Sequence, residues 1–151
     1  MKPSIVLVIV QFGLLGAFAL AAALTEPVGE SPVKLVGLVA VVVGVVVFLA
    51  ALYAYARTNA TLPQALPEPK QGTQLVQRGI YQVIRHPIYT AVLAATGGVA
   101  LYHGGAVPLL MWGALLVLFY VKSDYEESLL RRTYPEYAAY RRRTGRFLPK
   151  I

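Results

Sequence analysis

Long uncharged apolar runs alternate with short polar connections along this chain. From Ile5 to Leu24 no residue carries a charge, and the run is about long enough to cross a bilayer as a helix. Thr25 to Pro32 is a polar connection holding Glu26, Pro27, Gly29, Glu30 and Pro32, residue types that make turns and start helices. Leu35 to Ala56 is a second apolar run, rich in Val. So many β-branched residues would mark buried strands in water, but the length and the lack of alternation predict a membrane helix. A cleaved leader is the competing reading of the first run, because Ala21-Ala22-Ala23 resembles a cleavage region. The apolar core is long for a leader and a second run follows it closely, so a retained helix is expected.

Arg57 to Ile84 is the longest non-apolar stretch. Pro63, Pro67 and Pro69 make its first half extended or turning, since proline removes a backbone donor and disfavours helix before it. Gly72 to Val83 has room for a short helix. From Ile88 to Val121 fixed charge is again absent. His103-Gly104-Gly105 and Pro108 predict a tight turn between two helical arms, each shorter than a full span of about 20 residues. The second arm gains length by continuing through Lys122 towards Leu130. The hairpin therefore either crosses a thin or tilted region or is re-entrant. Beyond it, one helix leaves the membrane and a second begins near Pro135, where proline suits a first helical turn. Lys122/Glu126 and Glu127/Arg131 are i,i+4 pairs of opposite charge. Tyr134, Tyr137 and Tyr140 form an aromatic stripe that suits a membrane interface.

Composition sharpens this. Of the 151 residues 57% are hydrophobic and 14% charged, with mean hydropathy +0.59, which places the chain among membrane proteins rather than soluble ones. It has no cysteine, so thiolate nucleophiles, disulfides and Cys-based metal centres are excluded. His86 and His103 are its two histidines, too few for a His-rich metal centre. The formal charge is +7, and arginines crowd the last quarter of the chain beside apolar segments, which points to lipid headgroups rather than nucleic acid. Lys and Arg fall in the 57–87 stretch and in the tail. The connection after the first run sets two Glu against Lys34, and the hairpin tip carries no cation. The expectation is an all-α integral membrane protein with about four transmembrane helices and both termini cytoplasmic. Residues 1–151 form one membrane domain: two anchoring helices within 1–56, a cytoplasmic loop over 57–87, and a hairpin with a C-terminal helical segment over 88–151.

Two polar knots then share one face. The first is Arg85-His86-Pro87-Ile88-Tyr89. An arginine at a helix mouth ordinarily snorkels to headgroups, but Pro87 disfavours helix at His86. Non-helical backbone at membrane depth is tolerated where it is buried in protein or lines a cavity. The second knot is Asp124-Tyr125-Glu126-Glu127. Solvated acids at a helix end are the ordinary reading; acids at membrane depth mark function. Neighbouring helical residues diverge by about a hundred degrees, so one of Glu126 and Glu127 is expected to face a site while the other pairs with Arg131. His103, at the far tip, reads as a turn or interface residue.

In order, Gly79-x-Tyr81-x-x-x-Arg85-His86-Pro87-x-Tyr89, the apolar hairpin and Glu126-Glu127 resemble the isoprenylcysteine carboxyl methyltransferase family, within a wider group that includes the phospholipid N-methyltransferases. The tail agrees: Leu130, Tyr134, Pro135-Glu136-Tyr137-x-x-Tyr140 and Arg143-Thr144-Gly145-Arg146-Phe147-Leu148-Pro149 are similar to the family's closing segment. The likeness covers about residues 72–151. Ala91 stands where the family often has Gly, and Gly145 where it often has Pro.

The resemblance implies an integral-membrane methyltransferase that uses S-adenosyl-L-methionine on a lipophilic acceptor, such as a prenylcysteine-type carboxylate, with its active site on the cytoplasmic side. It implies cofactor contacts from Leu75, Val76, Tyr81, Arg85, His86, Pro87, Tyr89, Glu126 and Glu127, no metal and no nucleic acid. The leading assignments are a Glu for the cofactor ammonium or a ribose hydroxyl, His86 or the backbone beside Pro87 for its polar ends, and tyrosines for adenine or the sulfonium. Leu75 and Val76 would line the adenosine pocket. Arg143 or Arg146 would position an acceptor carboxylate through a bidentate pair. The competing readings are a phospholipid amine N-methyltransferase, an NADPH-dependent membrane reductase of related architecture and a non-catalytic scaffold. The acidic pair suits an ammonium-bearing cofactor better than a dinucleotide, and the chain has no Gly-rich fingerprint for a dinucleotide phosphate.

Overall fold

The computed structural model describes residues 2–28 and 32–150. Five α-helices follow one another: α1 (Pro3–Leu24), α2 (Pro32–Asn59), α3 (Pro87–His103), α4 (Ala106–Thr133) and the short α5 (Tyr137–Arg143), with a 3₁₀ turn at Gly79–Gln82. Among the described residues there is no strand, only an isolated parallel bridge between Ile84 and Gly145. The fold is thus all-helical, as expected. Helices α1, α2 and α4 have 22, 28 and 28 residues and are long and apolar enough to cross a membrane. Helix α3 has 17 residues, about 25 Å at 1.5 Å per residue, short of a hydrocarbon core of about 30 Å. Among the described residues there are four long helices, three of them of spanning length. Gly29 and Glu30 of the expected first connection lie outside the described residues.

Helices α2 and α3 pack closely because small residues face each other. A Cβ added at Gly37 would stand 2.5 Å from the Gly98 carbonyl oxygen, and one at Gly98 would stand 2.4 Å from that of Gly37. One helical repeat on, a Cβ at Gly44 would meet the Ala91 carbonyl oxygen at 2.7 Å. Ala91 is itself buried, and Ala51 and Ala54 continue the buried stripe of α2. Without a hydrophobic drive between helices in lipid, such close backbone approach and its van der Waals contact hold a pair together. The alanine at position 91 is accommodated because Gly44 lies opposite it.

The α3–α4 hairpin turns where expected. Gly104 caps α3 with φ 69°, a left-handed conformation open to glycine at little cost. Across the hairpin, Trp112 Nε1 donates to the Leu93 carbonyl at 2.9 Å. Helix α1 packs against α4 rather than α2; Phe18 joins Leu93, Ala100, Leu115 and Phe119 in the core where α1, α3 and α4 meet. Among the described residues α1 and α2 make no extended packing on each other, and both present exposed apolar side chains such as Phe12, Leu20, Val42 and Leu49. In the bilayer these faces meet lipid.

The α2–α3 contact can be tested against an internal control, since nothing lies within 4 Å of a Cβ placed at Gly13 of α1. Gly44→Val should lower the thermal midpoint of the detergent-purified protein, with an overpacking cost of about 1–3 kcal/mol. Gly13→Val should leave that midpoint within a degree or so of the parent. Equal melting of the two variants would mean that α2 and α3 do not meet at this stripe.

Candidate active site

The two polar knots meet. His86 caps α3 in a non-helical conformation (φ −120°, ψ 59°), and Pro87 takes the first helical position. This turns the His86 ring towards α4. Its Nε2 lies 3.3 Å from Glu127 Oε1 and its Nδ1 lies 3.6 Å from Glu126 Oε2, so the imidazole bridges both acids. Tyr89, one turn into α3, donates its hydroxyl to Glu126 Oε2 at 2.7 Å. The Tyr89 ring stacks between that of His86 (centroids 5.3 Å apart) and that of Phe119 (4.8 Å).

The two glutamates have different surroundings. Glu127 is fully buried and gathers cations. Arg85 Nε donates to Oε1 at 2.9 Å, Arg146 Nε lies 3.6 Å from the same oxygen, and Arg141 Nε lies 3.1 Å from Oε2. Arg85 also donates through Nη1 to the carbonyls of Arg141 and Thr144, and Arg146 holds Asp124 at 2.8 Å. Arg131, the expected partner of Glu127, instead donates to its backbone carbonyl at 3.2 Å. Glu126 keeps 26% of its side chain exposed, and it rather than Glu127 lines the cavity described below.

The C-terminal segment is sewn into this knot. Arg85 N donates to Gly145 O at 2.9 Å, Gly145 N to Val83 O at 3.0 Å and His86 N to Arg146 O at 3.1 Å. These bonds satisfy backbone groups that Pro87 keeps out of a helix. Gly145 is required here: an added Cβ would lie 1.7 Å from the Leu148 carbonyl oxygen. Thr90 Oγ1 donates to Phe147 O at 2.7 Å, and Tyr140 donates its hydroxyl to Tyr81 O at 2.7 Å. Tyr137 and Tyr140 are buried, so the tyrosine stripe expected at a membrane interface packs against the site instead. Burial pushes the phenols of Tyr81, Tyr137 and Tyr140 well above their usual range, which keeps them neutral.

Beside the knot lies a cavity of about 420 Å³, within the range of about 300–1,000 Å³ typical of small-molecule sites. Of the residues singled out from the sequence, Leu75, Val76, Tyr81, Arg85, His86, Pro87, Tyr89 and Glu126 all line it. Glu127, Arg143 and Arg146 do not. Arg143 turns to Gln77 and lies over the Tyr140 ring, and Arg146 is committed to Asp124 and Glu127. Neither arginine lines the cavity; their guanidinium groups are held by Gln77, Asp124 and Glu127.

Three contributors were missed in the sequence. The proline-rich segment from Pro63 to Gln74 forms one wall, held by Tyr134 Oη to Thr73 O at 2.9 Å and by the reciprocal bonds of Asn59 with Gln74. Gln11, Phe12 and Leu15 of α1 and Phe48 and Leu52 of α2 make an apolar end. Lys122 of α4 also lines the cavity. Its charge at the end of a long apolar run was the available signal for this last one. Among the described residues no group of three or more His, Cys, Asp or Glu is placed to hold a metal ion.

With this geometry in view, the chain belongs to the phospholipid methyltransferase family, whose model matches residues 33–137. That range takes in α2, both polar knots and the first residue of α5. The chain is also similar to the nickel-cobalt-cadmium resistance protein NccN of Alcaligenes xylosoxydans xylosoxydans, with 29% identity over 83 residues. The matched stretch covers 54% of this chain and 39% of that protein, so the chain spans well under half the relative's length.

The unlike surroundings of the two glutamates predict unlike mutants. Glu127→Ala leaves several buried or half-buried cations without their counter-ion and should cost about 3–5 kcal/mol of stability, read as a lower thermal midpoint and a poor yield of monodisperse protein. Glu126→Ala removes the Tyr89 hydrogen bond to a half-buried carboxylate and should cost less, about 1.5–3 kcal/mol. Equal destabilisation by both would show that Glu127 is not the structural centre.

Proposed function

We propose that the cavity is the methyl-transfer site of a membrane methyltransferase that uses S-adenosyl-L-methionine on a lipophilic acceptor, such as a prenylcysteine-type carboxylate. The observation that carries this is a half-buried carboxylate, Glu126, held on the cavity wall by Tyr89 and His86, in a chain of the phospholipid methyltransferase family.

The cavity suits the cofactor in chemistry as well as size. Glu126 supplies an acceptor for an ammonium or a ribose hydroxyl, and its orientation is fixed by two partners rather than left to solvent. The faces of Tyr81 and Tyr89 offer quadrupoles to a cation or a stacking surface to a purine. Leu75 and Val76 give the apolar wall that an adenosine needs. When bound, S-adenosyl-L-methionine supplies an electrophilic methyl group on a sulfonium. The chain's own share is placement and the exclusion of water, which are the main requirements of such a displacement. The proline-rich segment covers the cavity on one side and the docked tail supports the opposite knot. Arg85 stands at the wall, but its guanidinium serves Glu127, so it holds the site in shape.

An acceptor with an apolar tail reaches this cavity from the bilayer. The end lined by α1 and α2 is apolar, and those two helices do not close on each other. The cofactor enters from the opposite, arginine-rich end. By the positive-inside rule that end and both termini face the cytoplasm.

Titration calorimetry of S-adenosylhomocysteine into the detergent-purified protein, beside NADPH, tests the reading. Saturable binding of the homocysteine adduct is expected, with at least about a tenfold loss of affinity in Glu126→Gln, as for a lost hydrogen bond to a charged group. Binding of NADPH alone would replace the reading with a reductase. Proteolysis of sealed inside-out vesicles should trim the arginine-rich tail, and full protection there would reverse the topology.

A further inference from the structure

Lys122 lies sixteen residues into α4, where every residue from Ala106 to Val121 is uncharged. Its side chain is fully buried, yet it lines the cavity. Its ammonium donates to Gln11 Oε1 of α1 and, at 2.8 Å, to the Ala65 carbonyl of the proline-rich segment, and it lies 5.5 Å from the centre of the Tyr89 ring. All three partners are neutral. Among the described residues no carboxylate stands within ion-pair distance of it. Glu126, four residues on, is turned to Tyr89 and His86. A buried cation without a counter-ion is costly, and a charged side chain in a membrane helix marks a functional position.

Its surroundings say what would balance it. Lys122 stands at the junction between the apolar end of the cavity, where Phe12, Leu15 and Phe48 converge, and the polar end, where Glu126 and Tyr81 stand. A molecule lying with its tail between α1 and α2 would bring its head group to this junction. An ammonium has three N–H donors, and two are committed here. We infer that Lys122 is the acceptor-binding cation of the cavity, receiving an anionic oxygen of the acceptor's head group while Gln11 orients the lysine from α1.

The inference rests on the methyltransferase reading and deepens it by naming the residue that would hold an anionic oxygen of the acceptor. Two chemistries carry such an oxygen, a carboxylate on a lipophilic thioether and the phosphate of an amine phospholipid. The lysine sets a cation one ring away from Glu126, so groups of opposite charge flank Tyr89. Glu126 suits an ammonium, and Lys122 suits an anion. The third donor of Lys122 is the free one, and the Ala65 carbonyl is the partner an incoming oxyanion would displace or share.

The test compares parent, Lys122→Met and Lys122→Arg in lipid nanodiscs, each saturated with S-adenosylhomocysteine. Three ligands with the same saturated chain are titrated: an alkylthioacetate, an alkylphosphoethanolamine and an alkylamine. Loss of one charge-assisted hydrogen bond should weaken the carboxylate, the phosphate or both by about 10–100-fold in Lys122→Met. The alkylamine should bind no worse, and Lys122→Arg should recover most of the loss. The arm that moves names the anion. A uniform change in all three ligands, or none, would overturn the inference while leaving cofactor binding intact. Absence of S-adenosylhomocysteine binding in the folded parent would instead remove the methyltransferase reading, and this inference with it.

Discussion

One buried carboxylate holds the site together. Glu127 draws Arg85 from the segment before α3, Arg141 from α5 and Arg146 from the tail onto a single point of α4. An acid so deeply buried is tolerable only when cations and donors surround it, and cations this close to the membrane need an anion of their own. Each side therefore requires the other. Because the arginines belong to separate elements, the ion cluster fixes the positions of those elements at once. The backbone bonds through Gly145 and the stack of His86, Tyr89 and Phe119 then complete a wall whose exposed face is Glu126.

This division of labour between neighbouring acids gives the cavity its character. Glu127 turns inward to the arginines; Glu126 turns outward to the cavity. A helix separates consecutive side chains by about a hundred degrees, so a single turn of α4 presents a structural face and a binding face. Lys122, one turn earlier, adds the opposite charge on the binding side. The cavity is thus lined by groups of both signs together with apolar and aromatic side chains.

Much of this was legible in the sequence, and the parts that were not share a cause. Uncharged length gave α1, α2 and α4, and Gly104-Gly105 gave the hairpin turn. The order of Tyr81, Arg85, His86, Tyr89 and Glu126 gave most of one wall of the cavity. Pattern alone could not divide the roles of Glu126 and Glu127, because the choice depends on which face of α4 the tail docks. For the same reason Arg143 and Arg146 read as free cations, whereas the fold commits them to Gln77, Asp124 and Glu127. Tyr137 and Tyr140 read as an interface belt because aromatic spacing cannot distinguish lipid from a docked protein surface. The proline-rich wall was invisible for a different reason. Its backbone lacks a period, and only its bonds to Tyr134, Asn59 and Lys122 place it.

The pairing of the long helices has a consequence for how the molecule is assembled. Helix α2 finds its partner α3 across one loop, whereas α1 packs on α4, about a hundred residues further along the chain. Most of the packing of α1 therefore waits for α4, and Gln11 of α1 meets Lys122 of α4 across that contact. The two polar groups are satisfied in the same event, when the first helix closes against the fourth. Docking of α1 is thus coupled to burial of a charge, and the α1 side of the cavity is closed only where the first helix meets the fourth.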